Sequence, residues 1–423
     1  MQIKIEKPRL GIPVSLIIDD GAPCINPLYY FRLQVERQNY DRHERLIPLD
    51  FMENFVHVCR THNLRGKFTI LPYPAGLGSI LAGWDGCGPA QLAHWLELAQ
   101  VGLSPDFDIT PEILTHTLAL DLRTHSLLPQ PEHIWMENRS RAELAEYLGA
   151  SVDILKKAGF TPTGITQPCY FKGNREDYSQ AVLEAVQTAG GPPVTFYFID
   201  GYFAGPPFPE PPVMWSDGER GKAVVSILDY TDDYCWSTIR PVRSQGVSWV
   251  ADHYLTQDGA SGRLAELAQN GAWVVFCSHW QSLYSDGSRE GLAVLGEVAD
   301  RLEHVYGARL LWMKNSEIAR YRAAEESCLV IPLPGQDGIA IRLDSAFDCP
   351  DFTFTISSPE IPGTWIDKAY LTLPGNQSHL LDHDMGADGL LVSGAWRQAG
   401  DHLHVCIPLR RGSQELIFKR GTP

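Results

Sequence analysis

The sequence predicts an α/β chain in two parts: a parallel β/α sheet, open or closed into a barrel, over residues 1–325, and a small antiparallel β-sandwich over residues 326–423. Three observations predict it. Apolar runs of strand length alternate with helical patterns from Val14 to about Ala324, as expected of parallel strands joined by helical crossovers. After about Glu326 the pattern changes to short alternating runs punctuated by Gly, Pro, Asn and Asp. Several apolar runs end on polar residues, and in parallel β/α architectures the functional groups sit at such strand ends.

Taken in order, "VSLIID" reads as a buried strand, "PLDFMENFVHVCRTHN" as a helix and "KFTILPYP" as the next strand. The segment "RAELAEYLGASVDILKKAG" carries Leu144, Leu148, Val152 and Leu155 at spacings of four, four and three, with Gly159 as a stop, and predicts a helix ahead of "GITQPCYF". "AVVSILDYTDDY" and "AWVVFCSHW" are strands with polar ends, followed by the amphipathic "REGLAVLGEVADRLEHVYG" and by "ARLLWMKNSEIARYRAA", a strand and a helix. The runs "CLVIPLPG", "GIAIRLD", "FTFTISS", "AYLTLPG", "GLLVSGAWRQAGDHLHVCIPLRRG" and "QELIFKRG" supply the sandwich strands.

Composition limits the function. At 44% hydrophobic and 20% charged, the 423 residues suit a folded protein with a real core. No stretch reaches membrane-spanning length, so no membrane partner is expected. The apolar segment near Met1 is broken by Pro13 and runs into Asp19, a poor secretion signal. The nine cysteines are scattered without a CxxC pair, which fits reduced thiols, and a cytoplasmic protein is expected. With 35 basic against 51 acidic residues the formal charge is −16, which repels a phosphate backbone and argues against nucleic acid. There is no P-loop, HExxH or GxSxG; "AGLGS" lacks the third glycine of a dinucleotide fingerprint and reads as a loop at the functional rim.

The strand ends carry the chemistry. Asp19 and Asp20 close the first run, ahead of Gly21; His116 and Thr117 follow in "EILTHT"; His279 and Trp280 close "VVFCSHW". One such end is ordinary capping or solvation, but three converging on a rim point to a site able to move protons or bind metal.

These residues resemble the polysaccharide deacetylase, or NodB-homology, superfamily of glycoside hydrolase and deacetylase β/α barrels, over roughly residues 10–325. "IIDDG" matches the family's first motif, and the resemblance implies that Asp19 is the catalytic base and Asp20 a metal ligand. In the second motif "EILTHTLALD" supplies His116, but Leu120 stands where the family has a second histidine. His133 of "HIWMEN", four residues from Glu137, is then the expected third ligand, with residues 118–132 as an insertion. The third motif keeps Pro168 and Tyr170 but has Gln167 in place of an arginine; the last is matched by His279, and "WMKNSEIARY" resembles the family's final strand and helix. The implied fold is an irregular (β/α) barrel of the deacetylase type.

The resemblance implies a hydrolase that removes an acetyl or other acyl group from a saccharide. A divalent cation, with zinc as the expected ion, would be held by Asp20, His116 and His133; Asp19 would accept a proton from water and His279 would protonate the leaving group. Trp135, Glu137, Gln167, Tyr170 and Trp280 are the expected substrate contacts. Two alternatives stand beside it. One is a metal-independent glycoside hydrolase in which Asp19 or Asp20 pairs with Asp200 or Asp229. The other is a non-catalytic carbohydrate-binding protein on a degenerate barrel with the sandwich as recognition module. The sandwich's own role is open between substrate holding, support of the barrel and homo-oligomerisation.

Overall fold

The computed structural model describes all residues except 25–45, 168, 240–245, 335–337, 359–365, 376, 387–388 and 422–423. Pro168 lies outside the described residues. Strand β1 (Gln2–Ile5) leads to β2 (Ile12–Asp19), α1 (Leu49–Thr61), β3 (Gly66–Ile70), α2 (Pro89–Gly102) and β4 (Phe107–Pro111). A hairpin of β5 (Leu118–Leu120) and β6 (Leu127–Pro131) comes next, then α3 (Glu132–Glu137), α4 (Arg141–Lys157), β7 (Gly164–Thr166), α5 (Arg175–Thr188), β8 (Val194–Gly201), β9 (Val213–Asp217) and β10 (Lys222–Asp229). The first part ends with α6 (Val247–Tyr254), α7 (Arg263–Gln269), β11 (Val274–His279), α8 (Trp280–Tyr284), α9 (Glu290–Tyr306), β12 (Leu310–Trp312) and α10 (Asn315–Ser327).

The parallel strands form two runs, β11–β2–β3–β4 and β7–β8–β10. A bridge between Glu112 and Thr166 joins β4 to β7 at their C-terminal ends. On the other side Tyr230 N donates to Val275 O at 3.1 Å and joins the end of β10 to β11. The result is an irregular barrel, with β9 antiparallel along the first half of β10 and β12 beside the start of β2. All eight residues of β2 are buried, as a strand covered on both faces requires. Asp19, Gln167, Asp229 and His279 all fall at the carboxyl ends of strands, on one rim.

The best-signalled helix forms as its sequence dictates. In α4 the Ser140–Glu143 capping box starts the helix, and Leu144, Tyr147, Leu148, Val152 and Leu155 are its buried stripe. Gly159, at φ +94°, ends the turn that follows.

The second part is an antiparallel sheet of β13 (Leu329–Leu333), β14 (Gly338–Ser345), β15 (Cys349–Ser357), β16 (Ile366–Leu373), β17 (Gln377–His383), β18 (Ala395–Ala399), β19 (His402–Leu409) and β20 (Gly412–Arg420). Among the described residues its order is β1–β15–β19–β18–β17–β16–β20–β14–β13, with one short parallel pair between β17 and β18. Ile339, Ile341 and Leu343 alternate into its core from β14, as Phe352, Phe354 and Ile356 do from β15. The Trp396 ring meets Phe418 edge-on at 5.9 Å although β18 and β20 are not neighbours, so the sheet folds over on itself as a sandwich. Strand β1, from the other end of the sequence, joins this sheet through β15. Tyr321 of α10 fastens the junction, donating to Glu6 O at 2.5 Å and accepting from Thr353 N at 3.2 Å. No helix among the described residues is long and apolar enough to cross a membrane.

The β2–β3 pairing depends on a residue without a side chain. A Cβ at Gly66 would lie 1.8 Å from Leu16 O, so the strands could not stay paired around it. Gly66→Ala is expected to cost at least ~1–3 kcal/mol, read as a lower urea midpoint for unfolding; an unchanged midpoint would contradict this packing.

Candidate functional site

The site is built on the end of β2. Asp19 lies beside His279 in the parallel register. The next residue, Asp20, turns at φ +64°, a conformation few non-glycine residues adopt. Gly21 allows the turn to press against β3, because a Cβ there would lie 2.0 Å from Thr69 O. The kink gives the two adjacent aspartates different neighbours.

Asp20 belongs with Glu112 and His116, all three buried. His116 Nε2 is 3.0 Å from Asp20 Oδ1 and 3.1 Å from Glu112 Oε1. The other oxygen of Glu112, Oε2, accepts from Asp20 N at 2.8 Å and from Thr69 Oγ1 at 3.0 Å. Ile113 and His116 have φ of +47° and +55°, and this looped backbone brings His116 back onto Glu112. Glu132, at the start of α3, braces the loop by accepting from the amides of Leu114, Thr115 and His116 and from Tyr147 Oη at 2.7 Å. Burial opposes the imidazolium of His116, but Asp20 and Glu112 outweigh it and hold the ring well above its usual range.

These residues fit a divalent cation. One ligand atom from each of Asp20, Glu112 and His116 lies within 4.8 Å of the others. In a tetrahedral zinc site with bonds of about 2.0–2.1 Å the ligand atoms are ~3.4 Å apart, close to the separations seen here. Two carboxylates would balance the charge, and the imidazole would exchange its proton for the metal.

Asp19 belongs to a second group. Its Oδ1 accepts from Lys67 Nζ at 2.6 Å, and the same ammonium donates to Thr166 Oγ1 at 2.6 Å. Lys67 is fully buried, 4.6 Å from the centroid of the Phe198 ring. Burial raises the Asp19 carboxyl and Lys67 pulls it back. On β11, Cys277 Sγ is 3.8 Å from Asp19 Oδ2, and His279 Nδ1 is 2.9 Å from Asp233 Oδ2. Asp233 also accepts from His279 N and Ser282 Oγ, which fixes the ring. Burial alone would push His279 down, but the hydrogen bond to Asp233 and the charges of Asp20, Asp233 and Asp19 carry it up to about 9. Burial raises Asp229 to about 8 against hydrogen bonds from Thr231, with the Asp19 charge adding to the rise.

The other residues named from the sequence are spread around this centre. Glu112, rather than His133, is grouped with Asp20 and His116; His133 sits half-buried with its ring against Tyr170, centroids 4.8 Å apart. Leu120 is buried in the β5–β6 hairpin, its amide donating to Tyr147 Oη, and residues 118–131 form that hairpin. Trp135 packs on Tyr147 with the Arg139 guanidinium over it, and Glu137 caps the Lys172 amide at 3.0 Å. Gln167 is 2% exposed, just past β7, and Tyr170 is 44% exposed. Trp280 corrects an expectation. It is fully buried against Phe51, Phe55 and Phe68, because α8 turns its first residue back into the core. Of the two acids named as glycosidase partners, Asp229 lies in the site, whereas Asp200 pairs with Arg175 and is half-exposed.

Lys67, Glu112, Asp233 and Cys277 were not foreseen. Glu112 had the clearest signal, four residues before His116 in a segment already singled out, and Lys67 was an ionisable residue opening an otherwise buried strand.

The sequence matches no family model and no curated protein. Among solved structures, a protein from Mycobacterium smegmatis provisionally described as a polysaccharide deacetylase is similar at 13% identity and TM-score 0.42, over 75% of this chain and 92% of that one. The α-fucosidase of Thermotoga maritima is similar at 10% identity and TM-score 0.31, over 98% and 96% of the two chains. The catalytic domain of GH30 xylanase C from Talaromyces cellulolyticus gives 10% identity and TM-score 0.31 over 99% and 100%. The likeness is distant in each case, and the site is read from its own side chains.

The burial of Trp280 sets an expectation of its own. Trp280→Ala should lower stability by ~3–5 kcal/mol, read as a drop in the unfolding midpoint; full stability with weakened saccharide binding would instead place the ring in a binding surface.

Proposed function

We propose that the chain is a metal-dependent hydrolase that removes an acyl group, acetyl foremost, from a saccharide. The observation that carries the reading is the buried Asp20–Glu112–His116 group, with Asp20 and His116 on strained backbone and one ligand atom of each residue within 4.8 Å of the others. A divalent cation bound there would supply Lewis-acid polarisation of the acyl carbonyl and a water acidic enough to react near neutral pH.

The chain's own groups then divide the proton work. Asp19, paired with the Lys67 ammonium that offsets part of its burial, takes a proton from the attacking water. His279, carried up to about 9 and oriented by Asp233, is protonated at neutral pH and delivers its proton to the departing nitrogen or oxygen. Tyr170 and His133, edge to face on the rim, supply surface for the sugar ring, and the buried carboxamide of Gln167 supplies hydrogen bonds.

Metal content tests the reading directly. Elemental mass spectrometry of the gently purified protein should find at least about one equivalent of zinc or another transition metal. Asp20→Ala, Glu112→Ala and His116→Ala should each lower the content by about one equivalent, while His133→Ala leaves it unchanged. No bound metal, and none taken up on addition, would overturn the proposal.

One observation favours a second reading. Asp229, buried at the end of β10 and pushed up to about 8, is a carboxyl that stays protonated near neutrality beside the Asp19 carboxylate, as an acid and nucleophile or base pair of a glycosidase requires. Asp229→Asn separates the two readings. Glycoside cleavage would fall ~10²–10⁴-fold if Asp229 is the general acid, whereas acyl release under the first reading persists.

A further inference from the structure

We propose that Asp19, Cys277 and His279 form a second cation site, selective for a soft divalent ion, beside the Asp20–Glu112–His116 group. One ligand atom from each of the three residues lies within 4.8 Å of the others. Cys277 and His279 are two residues apart on β11, so they share a face of the strand, and Asp19 stands opposite His279 across the β2–β11 ladder. Asp19 and Cys277 are 5% and 3% exposed, so the ion would sit in a nearly dry setting.

The geometry matches coordination better than hydrogen bonding. The 3.8 Å between Cys277 Sγ and Asp19 Oδ2 is long for a thiol donor. It is close to the ~3.6 Å edge between sulfur and oxygen around a tetrahedral ion with bonds of about 2.3 and 2.1 Å. Lys67 occupies Asp19 Oδ1, so Oδ2 is the oxygen on the cysteine side. Asp233 holds Nδ1 of His279, the carboxylate–imidazole arrangement that orients a histidine for ligation through its other nitrogen. A sulfur ligand sets the preference: thiolate with imidazole favours zinc or cadmium over magnesium or calcium. Binding would release two protons to solvent, one from the thiol and one from the His279 imidazolium, leaving the thiolate and the Asp19 and Asp233 carboxylates to balance the ion and the Lys67 ammonium.

The consequence for activity rests on the deacylase reading. Asp19 and His279 are its proton-handling groups, so a soft cation held between them silences the site and inhibits. The presence of the site is independent of that reading.

Cadmium is the probe, titrated into the full chain in a Cys169→Ser background that removes the exposed thiol. Uptake should reach about two equivalents, one of them accompanied by near-ultraviolet thiolate–cadmium absorption. Cys277→Ser, and separately Cys277→Ala in case one variant folds poorly, should lose that absorption and one equivalent. Asp233→Asn should weaken the thiolate step ~10–100-fold, and His116→Ala should lose the other equivalent while keeping the absorption band. A band that survives both Cys277 substitutions, or its absence from the parent at saturating cadmium, would overturn the proposal. Failure of the first group shows differently, as uptake that His116→Ala leaves unchanged.

Discussion

Burying charge is the constraint on which this barrel mouth is built. Asp19, Asp20, Glu112, Glu132 and Asp229 are each 5% exposed or less. An ionised carboxylate removed from water costs several kcal/mol unless a cation, a set of donors or a proton meets it. Here each finds a different answer: Lys67 for Asp19, His116 shared by Asp20 and Glu112, three amides and a tyrosine for Glu132, and Thr231 with a raised affinity for the proton at Asp229. The electrostatic character of the rim follows from how these debts are settled.

Backbone distortion is the means by which the partners meet. A regular strand end would send neighbouring side chains to opposite faces, and the positive φ values at Asp20, Ile113 and His116 break that alternation. Each such residue costs ~1–3 kcal/mol, so the surroundings must hold it. Glu132 does this for the loop after β4, and the absence of a side chain at Gly21 does it for the turn after β2. Strain and buried charge therefore coincide at the same end of the barrel.

The fold was legible where local rules govern it. The alternation of apolar runs and helical stripes gave the parallel strands, the Leu144–Leu155 stripe with Gly159 as its stop gave α4, and alternating short runs gave the sandwich strands. The rim was partly legible because Asp19, Asp20 and His279 close strands; His116, read as a strand end, lies instead in the loop after β4. What escaped reading was set by distance across the barrel. Lys67 matters because β3 lies beside β2, Asp233 because a loop after β10 reaches β11, and Glu112 because the chain folds back at Ile113. Trp280 went the other way, since a polar strand end gives no sign that the next helix turns its first residue inward.

Strand β1 gives the molecule an unusual assembly order. It reaches its place only by pairing with β15, and the bond from Arg9 N to Thr353 Oγ1 spans 344 positions of sequence. At a ribosomal rate of ~5–20 residues per second, β1 waits ~20–70 s for that partner. During that interval the barrel strands can already pair with one another, while β1 and the segment leading into β2 have no sheet to join. The start of β2 can pair with β12 first, and the segment ahead of it finds its own sheet only when β15 follows.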